Sequence, residues 1–305
     1  MKIVFFGNPK FASDSLDYLI SNGIVIDLVI TNKDKRSGRG LNLKQSEVKS
    51  IALKHKCNIY ETNNLDIDLE KKLSIIKPDL GIIVAYKYLP KRIFSIPKFG
   101  CVNLHASLLP KHTGASPIQY TILKNDKVAG LTTFVINNKI DHGDIICSKK
   151  IVIDNKILFT ELYSELSKLA GPLLIETIAT IKRGSEFKKQ NPNKRTFAPK
   201  ITKNQIKIDW KNDSEYIHNQ IRAMNYIGAY AYIKDKRIKF YDTTFMNVSY
   251  DQSLDPGRFK INKNEINIET GKGLLIARKI QLEGKKITSV ENFKNNPISK
   301  NNKFN

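Results

Sequence analysis

Cysteine, tryptophan and acid are all scarce in this chain of 305 residues, which has 3 Cys and 1 Trp and sets 29 Asp+Glu against 51 Lys+Arg. The three cysteines, Cys57, Cys101 and Cys147, are scattered and odd in number, so they form no disulfide framework. They read as small buried hydrophobes of a reducing compartment, and the cytoplasm is the expected location. No apolar run approaches the ~18 residues of a membrane helix, so no membrane span is expected. The start, Met1-Lys2-Ile3-Val4-Phe5-Phe6-Gly7, enters an apolar strand directly and lacks the pattern of a cleaved leader.

Cofactor and metal signatures are missing as well. The first strand-to-helix turn, Gly7-Asn8-Pro9-Lys10-Phe11, has one glycine where a dinucleotide site shows three. The G-x-G that follows the second strand, Gly38-Arg39-Gly40, has no third glycine behind it. There is no phosphate loop, no H-E-x-x-H and no paired cysteines, and the five histidines are isolated, so no metal site is expected.

The shortage of acid leaves a formal net charge of +22. Clustered Lys and Arg bind polyanions by releasing counterions, which points to nucleic acid. The chain is also crowded with Lys, Asn and Ile, residues of A/T-rich codons, and that bias is an equally good source of the excess.

What is present is a repeated alternation. Continuous apolar runs at 2–7, 24–30, 57–60, 79–85, 101–106, 130–136 and 145–153 alternate with helical spacing at Leu16-Leu19-Ile20, from about Ser46, at 65–77 and at 159–183. Unbroken apolar strands between helices predict a doubly wound, mostly parallel α/β sheet over residues 1–184. Residues 185–206 read as a basic linker, punctuated by Asn191-Pro192-Asn193 and Pro199. From 207 to 305 the pattern is a short helix, capped by Asp213 or Ser214, and then short strands at 229–233, 237–241, 259–261, 266–268, 273–277 and 280–282. That predicts a small β-barrel of the OB-like kind.

One strand ends unusually. In Cys101-Val102-Asn103-Leu104-His105 the carboxamide and the imidazole sit at i and i+2, so they project to the same side. In a doubly wound sheet the reactive crevice lies beyond the carboxyl ends of the strands. The loop after the next strand, Asn137 to Asp144, can bring Asp141 to that crevice. An amide, an imidazole and a carboxylate suit acyl transfer with no Ser or Cys nucleophile, since an amine substrate can attack directly. Residue patterns alone leave a second reading, in which His105 is a satisfied core residue and Asp141 a turn former.

The order Asn103-x-His105-x-Ser107-Leu108-Leu109-Pro110, then Gly114-Ala115-Ser116-Pro117-Ile118 and Asp141-His142-Gly143-Asp144, resembles the folate-dependent formyltransferases. The resemblance implies Asn103, His105 and Asp141 as the catalytic trio and 10-formyltetrahydrofolate as co-substrate. It also places Ser107, Leu108, Leu109 and Pro110 in the folate site. Phe6-Gly7-Asn8-Pro9-x-Phe11-Ala12, the basic insert around Arg39, Ile208-Asp209-Trp210 and Ile221-Arg222-Ala223-Met224-Asn225 are similar to the branch that formylates initiator methionyl-tRNA. The resemblance matches the basic insert, Lys35, Arg36 and Arg39, to the loop that enters the tRNA acceptor stem, on a monomer. The charge of Lys194, Arg195, Lys200, Lys203 and Lys207 reads as a phosphate-tracking face, and equally well as a solvated connection. The chain departs from the pattern in three places: Lys87 stands where glycine is usual after Ala-Tyr, Thr113 where arginine is expected, and the aromatic and proline run after Asn225 is reduced to Tyr226-Ile227-Gly228. The alternative activity is another folate-dependent formyltransferase, or a formyltetrahydrofolate hydrolase, acting on a small substrate.

Overall fold

The structure is a computed structural model and describes residues 1–37, 42–247, 255–294, 296–300 and 302–305. Arg39, with its flanking Gly38 and Gly40, lies outside the described residues. Two compact units are present. The first comprises Met1–Pro117, Val128–Val152 and Tyr163–Pro199; the second comprises Ile118–Lys127, Ile153–Leu162 and Lys200–Asn305.

In chain order the first unit contains β1 (Ile3–Gly7), α1 (Lys10–Ser21), β2 (Leu28–Thr31), β3 (Lys35–Ser37), β4 (Asn42–Lys44), α2 (Glu47–Lys54), β5 (Ile59–Glu61), α3 (Ile67–Ile76), β6 (Leu80–Val84), α4 (Lys91–Phe94) and β7 (Cys101–His105). After α5 (Pro117–Leu123), most of which belongs to the second unit, come β8 (Val128–Val135), β9 (Ile145–Val152) and α6 (Phe159–Lys182), whose first residues are also grouped with the second unit. Seven strands form one sheet in the order β5-β2-β1-β6-β7-β8-β9. β1 and β6 are buried at every position, as strands covered on both faces must be. Val4, Phe6, Leu28, Ile30, Leu69, Leu73 and Ile83 fill one side of the sheet together with Ile93 from α4.

Five strands are parallel, while β8 runs antiparallel to β7 and β9 antiparallel to β8. The sequence predicts both strands but places them in a mostly parallel sheet, and the structure turns them antiparallel. The β8–β9 connection, residues 136–144, is shorter than the dozen or so residues a parallel crossover needs. Helix starts follow their capping chemistry. Ser46 Oγ accepts the Lys49 amide at α2 and Asp66 the Leu69 amide at α3. The basic insert, which shows no strand pattern in the sequence, forms the β3–β4 hairpin with Lys35 opposite Lys44 and Arg36 opposite Leu43.

The second unit adds α7 (Lys203–Ile206), α8 (Ser214–Ala223), β10 (Tyr230–Ile233), β11 (Lys236–Met246), β12 (Phe259–Asn262), β13 (Glu265–Glu269), β14 (Leu274–Leu282), β15 (Thr288–Ser289) and α9 (Val290–Lys294). The strands are antiparallel in the order β10-β11-β14-β13-β12, with β15 on β14. The runs at 273–277 and 280–282 are one strand, β14, whose register against β11 holds from Ile238↔Leu282 to Met246↔Leu274. Arg278 and Lys279 face solvent side by side, and that polar interruption splits the pattern in the sequence. Residues 302–305 then bond to both edge strands. The Asn305 amide donates to the Tyr232 carbonyl of β10 at 2.7 Å, and the Phe259 amide of β12 donates to the Asn302 carbonyl at 2.7 Å. Pairing both edges removes the open edges of the sheet, as a barrel requires. Phe304 seals the interior, stacked on Phe259 and Trp210 with ring centroids 4.3 and 5.7 Å away.

Candidate active site

The pairing of β6 with β7 runs to Val84↔Leu104, so the carboxyl ends of these parallel strands lie side by side. Asn103 and His105 occupy the end of β7, as the i, i+2 spacing requires. Among the described residues the half-buried Asn103 carboxamide has no side-chain partner. His105 is 6% exposed, and its two ring nitrogens face different partners. Nε2 lies 2.9 Å from the His112 carbonyl, which can only accept, so Nε2 carries a proton. Nδ1 faces Asp141 Oδ2 at 3.8 Å, an ion-pair distance but longer than a hydrogen bond.

Asp141 reaches His105 through an unusual backbone. Its φ is +55°, in the left-handed region that a non-glycine residue seldom enters. Its carboxylate is held from one side by the Gly114 amide, which donates to Oδ2 at 2.9 Å. Gly143, two residues on, must be glycine, because a Cβ there would lie 1.5 Å from the Val135 carbonyl oxygen. The short β8–β9 loop therefore folds tightly back on the strand it leaves, and that fold carries Asp141 to β7.

The segment after His105 is anchored at several points. Ser107 is buried, and its hydroxyl donates to the Lys111 carbonyl at 2.6 Å. Thr132 of β8 accepts the Leu109 amide at 3.1 Å and donates to the Ser107 carbonyl at 2.7 Å. The Leu109–Pro110 peptide is cis. Next to the site, at the end of β6, the Tyr86 hydroxyl is buried with no partner among the described residues, and burial pushes it up to about 12. Lys87 donates to the Asn63 carbonyl at 2.8 Å; burial, and then the charge of Lys35, lower its pKa.

Residues 190–198, which read as linker in the sequence, are part of this site. The Thr113 amide donates to the Thr196 carbonyl at 2.9 Å, the Ala198 amide to the Thr113 carbonyl at 2.8 Å and the Ser116 amide to the Ala198 carbonyl at 3.0 Å. The Thr196 hydroxyl accepts the His112 amide at 2.9 Å. Gln190 Nε2 donates to the carbonyls of Asp141 and Gly143 at 3.0 and 2.8 Å. Arg195 is half-buried, and its Nη1 donates to Thr113 Oγ1 at 2.9 Å. A guanidinium therefore does lie at position 113, delivered from position 195. The sequence offers no signal for Gln190 or Thr196, since their partners are distant in the chain.

The other basic candidates divide between the units. Lys35 and Arg36 stand exposed on β3, and Lys194 is exposed in the first unit. Lys200, Lys203 and Lys207 are exposed in the second, Lys207 with its Nζ 5.6 Å from the Tyr232 ring centroid. Among the described residues no group of His, Cys, Asp and Glu is arranged to hold a metal ion, and no helix is long and apolar enough to cross a membrane.

Chemically, the site offers an unpartnered amide donor beside an imidazole whose second nitrogen faces a carboxylate. That set suits stabilisation of an oxyanion together with removal of a proton from an amine.

Comparison with known proteins agrees with this chemistry. Residues 1–178 match the family described as formyl transferase, and residues 200–297 match formyl transferase, C-terminal domain. The methionyl-tRNA formyltransferase of Thermodesulfovibrio yellowstonii is 40% identical over 95% of this chain and 94% of its own length. That of Clostridium novyi is 36% identical over 96% of both. In fold, the chain resembles an N-formyltransferase from Helicobacter canadensis crystallised with folinic acid and dTDP-3-aminofucose. The TM-score is 0.66 at 24% identity, covering 91% of this chain and 98% of that one. With both domains matched and its relatives aligned almost end to end, the chain belongs to the formyl transferase family.

Proposed function

We propose that this protein transfers the formyl group of 10-formyltetrahydrofolate to the α-amine of initiator methionyl-tRNA, in the cytoplasm and as a monomer. The observation that carries the reading is the His105–Asp141 pair beside the unpartnered Asn103 carboxamide, in a chain that aligns almost end to end with methionyl-tRNA formyltransferases. An unpartnered amide and a buried, unpartnered Tyr86 hydroxyl, at the carboxyl ends of neighbouring strands, suit a ligand with polar groups along an extended body. The anchored turn Ser107-Leu108-Leu109-Pro110 forms the wall on which the donor rests.

The donor supplies an activated formyl carbon. The amine attacks it, the bond to the folate nitrogen breaks, and a proton passes from the amine to that nitrogen. Asn103 donates its amide hydrogen to the oxygen that becomes negative. His105, fixed by the His112 carbonyl and facing Asp141, carries the proton and puts positive charge beside that oxygen. Residues 1–184 do the chemistry, with Gln190 and Thr196 of the following stretch holding the site together. Residues 185–206 and 207–305 hold the RNA, with Lys194, Lys200, Lys203 and Lys207 on phosphates, together with Lys35, Arg36 and Arg39 of the insert.

The test is a formylation assay with 10-formyltetrahydrofolate and initiator or elongator methionyl-tRNA, run on the wild type and on Asn103→Ala and His105→Ala. Transfer to the initiator species is expected, with kcat lower by roughly 10²–10³ in each variant. Release of formate, or formylation of a small amine alone, would replace this reading with the small-substrate one.

A further inference from the structure

We infer that Gln190 and Arg195 are positioning residues for the transfer reaction, fixing the Asp141 backbone and so the carboxylate that faces His105. The inference rests on the function proposed above and assigns Arg195 a role different from an RNA contact.

The His105–Asp141 separation is the delicate quantity in the site. At 3.8 Å it lies beyond hydrogen-bond reach, so a shift of under about 1 Å makes or breaks the interaction. Both sides of that gap are set by the same stretch of chain. On the Asp141 side, Gln190 Nε2 and Arg195 Nη1 converge on the Asp141 carbonyl at 3.0 and 3.4 Å. Gln190 also ties down Gly143, and Arg195 Nη2 holds the Gln190 amide oxygen at 3.2 Å. On the His105 side, Thr196 holds the amide of His112, whose carbonyl accepts from His105 Nε2.

These bonds act where the backbone needs them. Asp141 sits at a φ of +55°, and such a conformation persists only where its surroundings over-determine it. Two donors on its carbonyl and one amide on its carboxylate provide that restraint. Arg195 spends its donors on Thr113 Oγ1, the Asp141 carbonyl and Gln190 Oε1, all within its own unit. Its neighbour Lys194 is exposed by contrast. A guanidinium wired in this way orders a loop and is a poor hand for a phosphate.

The test is steady-state formylation by the full chain, together with thermal melting and the dependence of the tRNA KM on salt. Variants are Gln190→Glu, Arg195→Ala and Arg195→Lys, with exposed Lys189→Ala as the charge-loss control. Gln190→Glu is nearly isosteric but cannot donate to either carbonyl, so it loosens the loop without opening a cavity. The expected result is a kcat lower by roughly 10- to 100-fold for Gln190→Glu and Arg195→Ala in folded protein, with the tRNA KM and its salt slope unchanged. Arg195→Lys, which keeps one donor group, recovers part of the loss. Unchanged kcat in folded Gln190→Glu overturns the inference. So does a loss carried by KM with a salt slope shallower by about 1, the signature of a phosphate contact. A wild type that formylates no methionyl-tRNA overturns the functional reading itself and this inference with it.

Discussion

The insert at 33–44 and the stretch at 182–207 are alike on paper, each short, rich in Lys and Arg and poor in acid. In the fold they part. The insert stands on an anchor below it. Lys49 Nζ lies 2.8 Å from Asp34 Oδ2 and 2.9 Å from Glu61 Oε1, and the side chains of Lys35 and Arg36 above are left exposed. The second stretch turns partly inward, and Arg195 becomes a brace of the loop that carries Asp141 while Lys194 beside it stays in solvent. Counting charges measures how much cation is present. Which cation faces a partner depends on backbone carbonyls and hydroxyls supplied from elsewhere in the chain, here by Asp141 and Thr113.

The inward class extends to the second unit, and there the largest effect is expected. Arg222 is 3% exposed, with Nη1 donating to the Ile157 carbonyl at 2.8 Å and Nη2 to Asn219 Oδ1 at 2.6 Å. Burial, and then the charge of Arg222, lower the nearby His218 from 6.5 to about 4. Between those two values the unfolded chain binds the proton that the folded one refuses, so stability is full above pH ~6.5 and falls as the pH drops towards 4. The expected loss is about 3 kcal/mol, measured by denaturant unfolding across that range, and His218→Gln should flatten the slope. A slope unchanged in His218→Gln would mean that His218 is not the group whose burial sets the acid side of the stability curve.

A smaller loss is expected at the seam that draws the second basic stretch inward. Gly114 has a φ of +126°, and a Cβ there would lie 2.7 Å from the Ala198 carbonyl oxygen. Gly114→Ala should cost about 2 kcal/mol and lower formylation with it, because the Gly114 amide holds Asp141. Unchanged melting and activity would mean that residues 196–198 are not bound to the site as described. The smallest effect is expected on the outward side. Lys35→Ala and Arg36→Ala should leave kcat and melting alone and make the salt dependence of tRNA binding shallower by about 1 for each phosphate that is no longer neutralised. If instead they lowered kcat, the two stretches would be alike after all.

Much of the fold was open to reading from the chain. Ile3–Gly7 and Leu80–Val84 are apolar without alternation because both faces are covered, and Ser46 and Asp213 mark helix starts that their side chains cap. The β3–β4 hairpin was hidden, since a two-stranded basic ribbon has no buried face to impose alternation. So was the closure of the second unit's sheet by residues 302–305, a pairing between segments far apart in sequence.

The site divides in the same way. Asn103 and His105 share a side of β7 by the two-residue period of a strand, so local geometry places them together whatever the rest of the chain does. That Asp141 arrives 3.8 Å from His105, and that Gln190 and Arg195 hold it there, was settled only by tertiary structure. Side-chain periodicity is a property of a few consecutive residues and is written in the chain. A hydrogen bond across some fifty positions depends on where two separately folded loops come to rest, and composition carries no record of that.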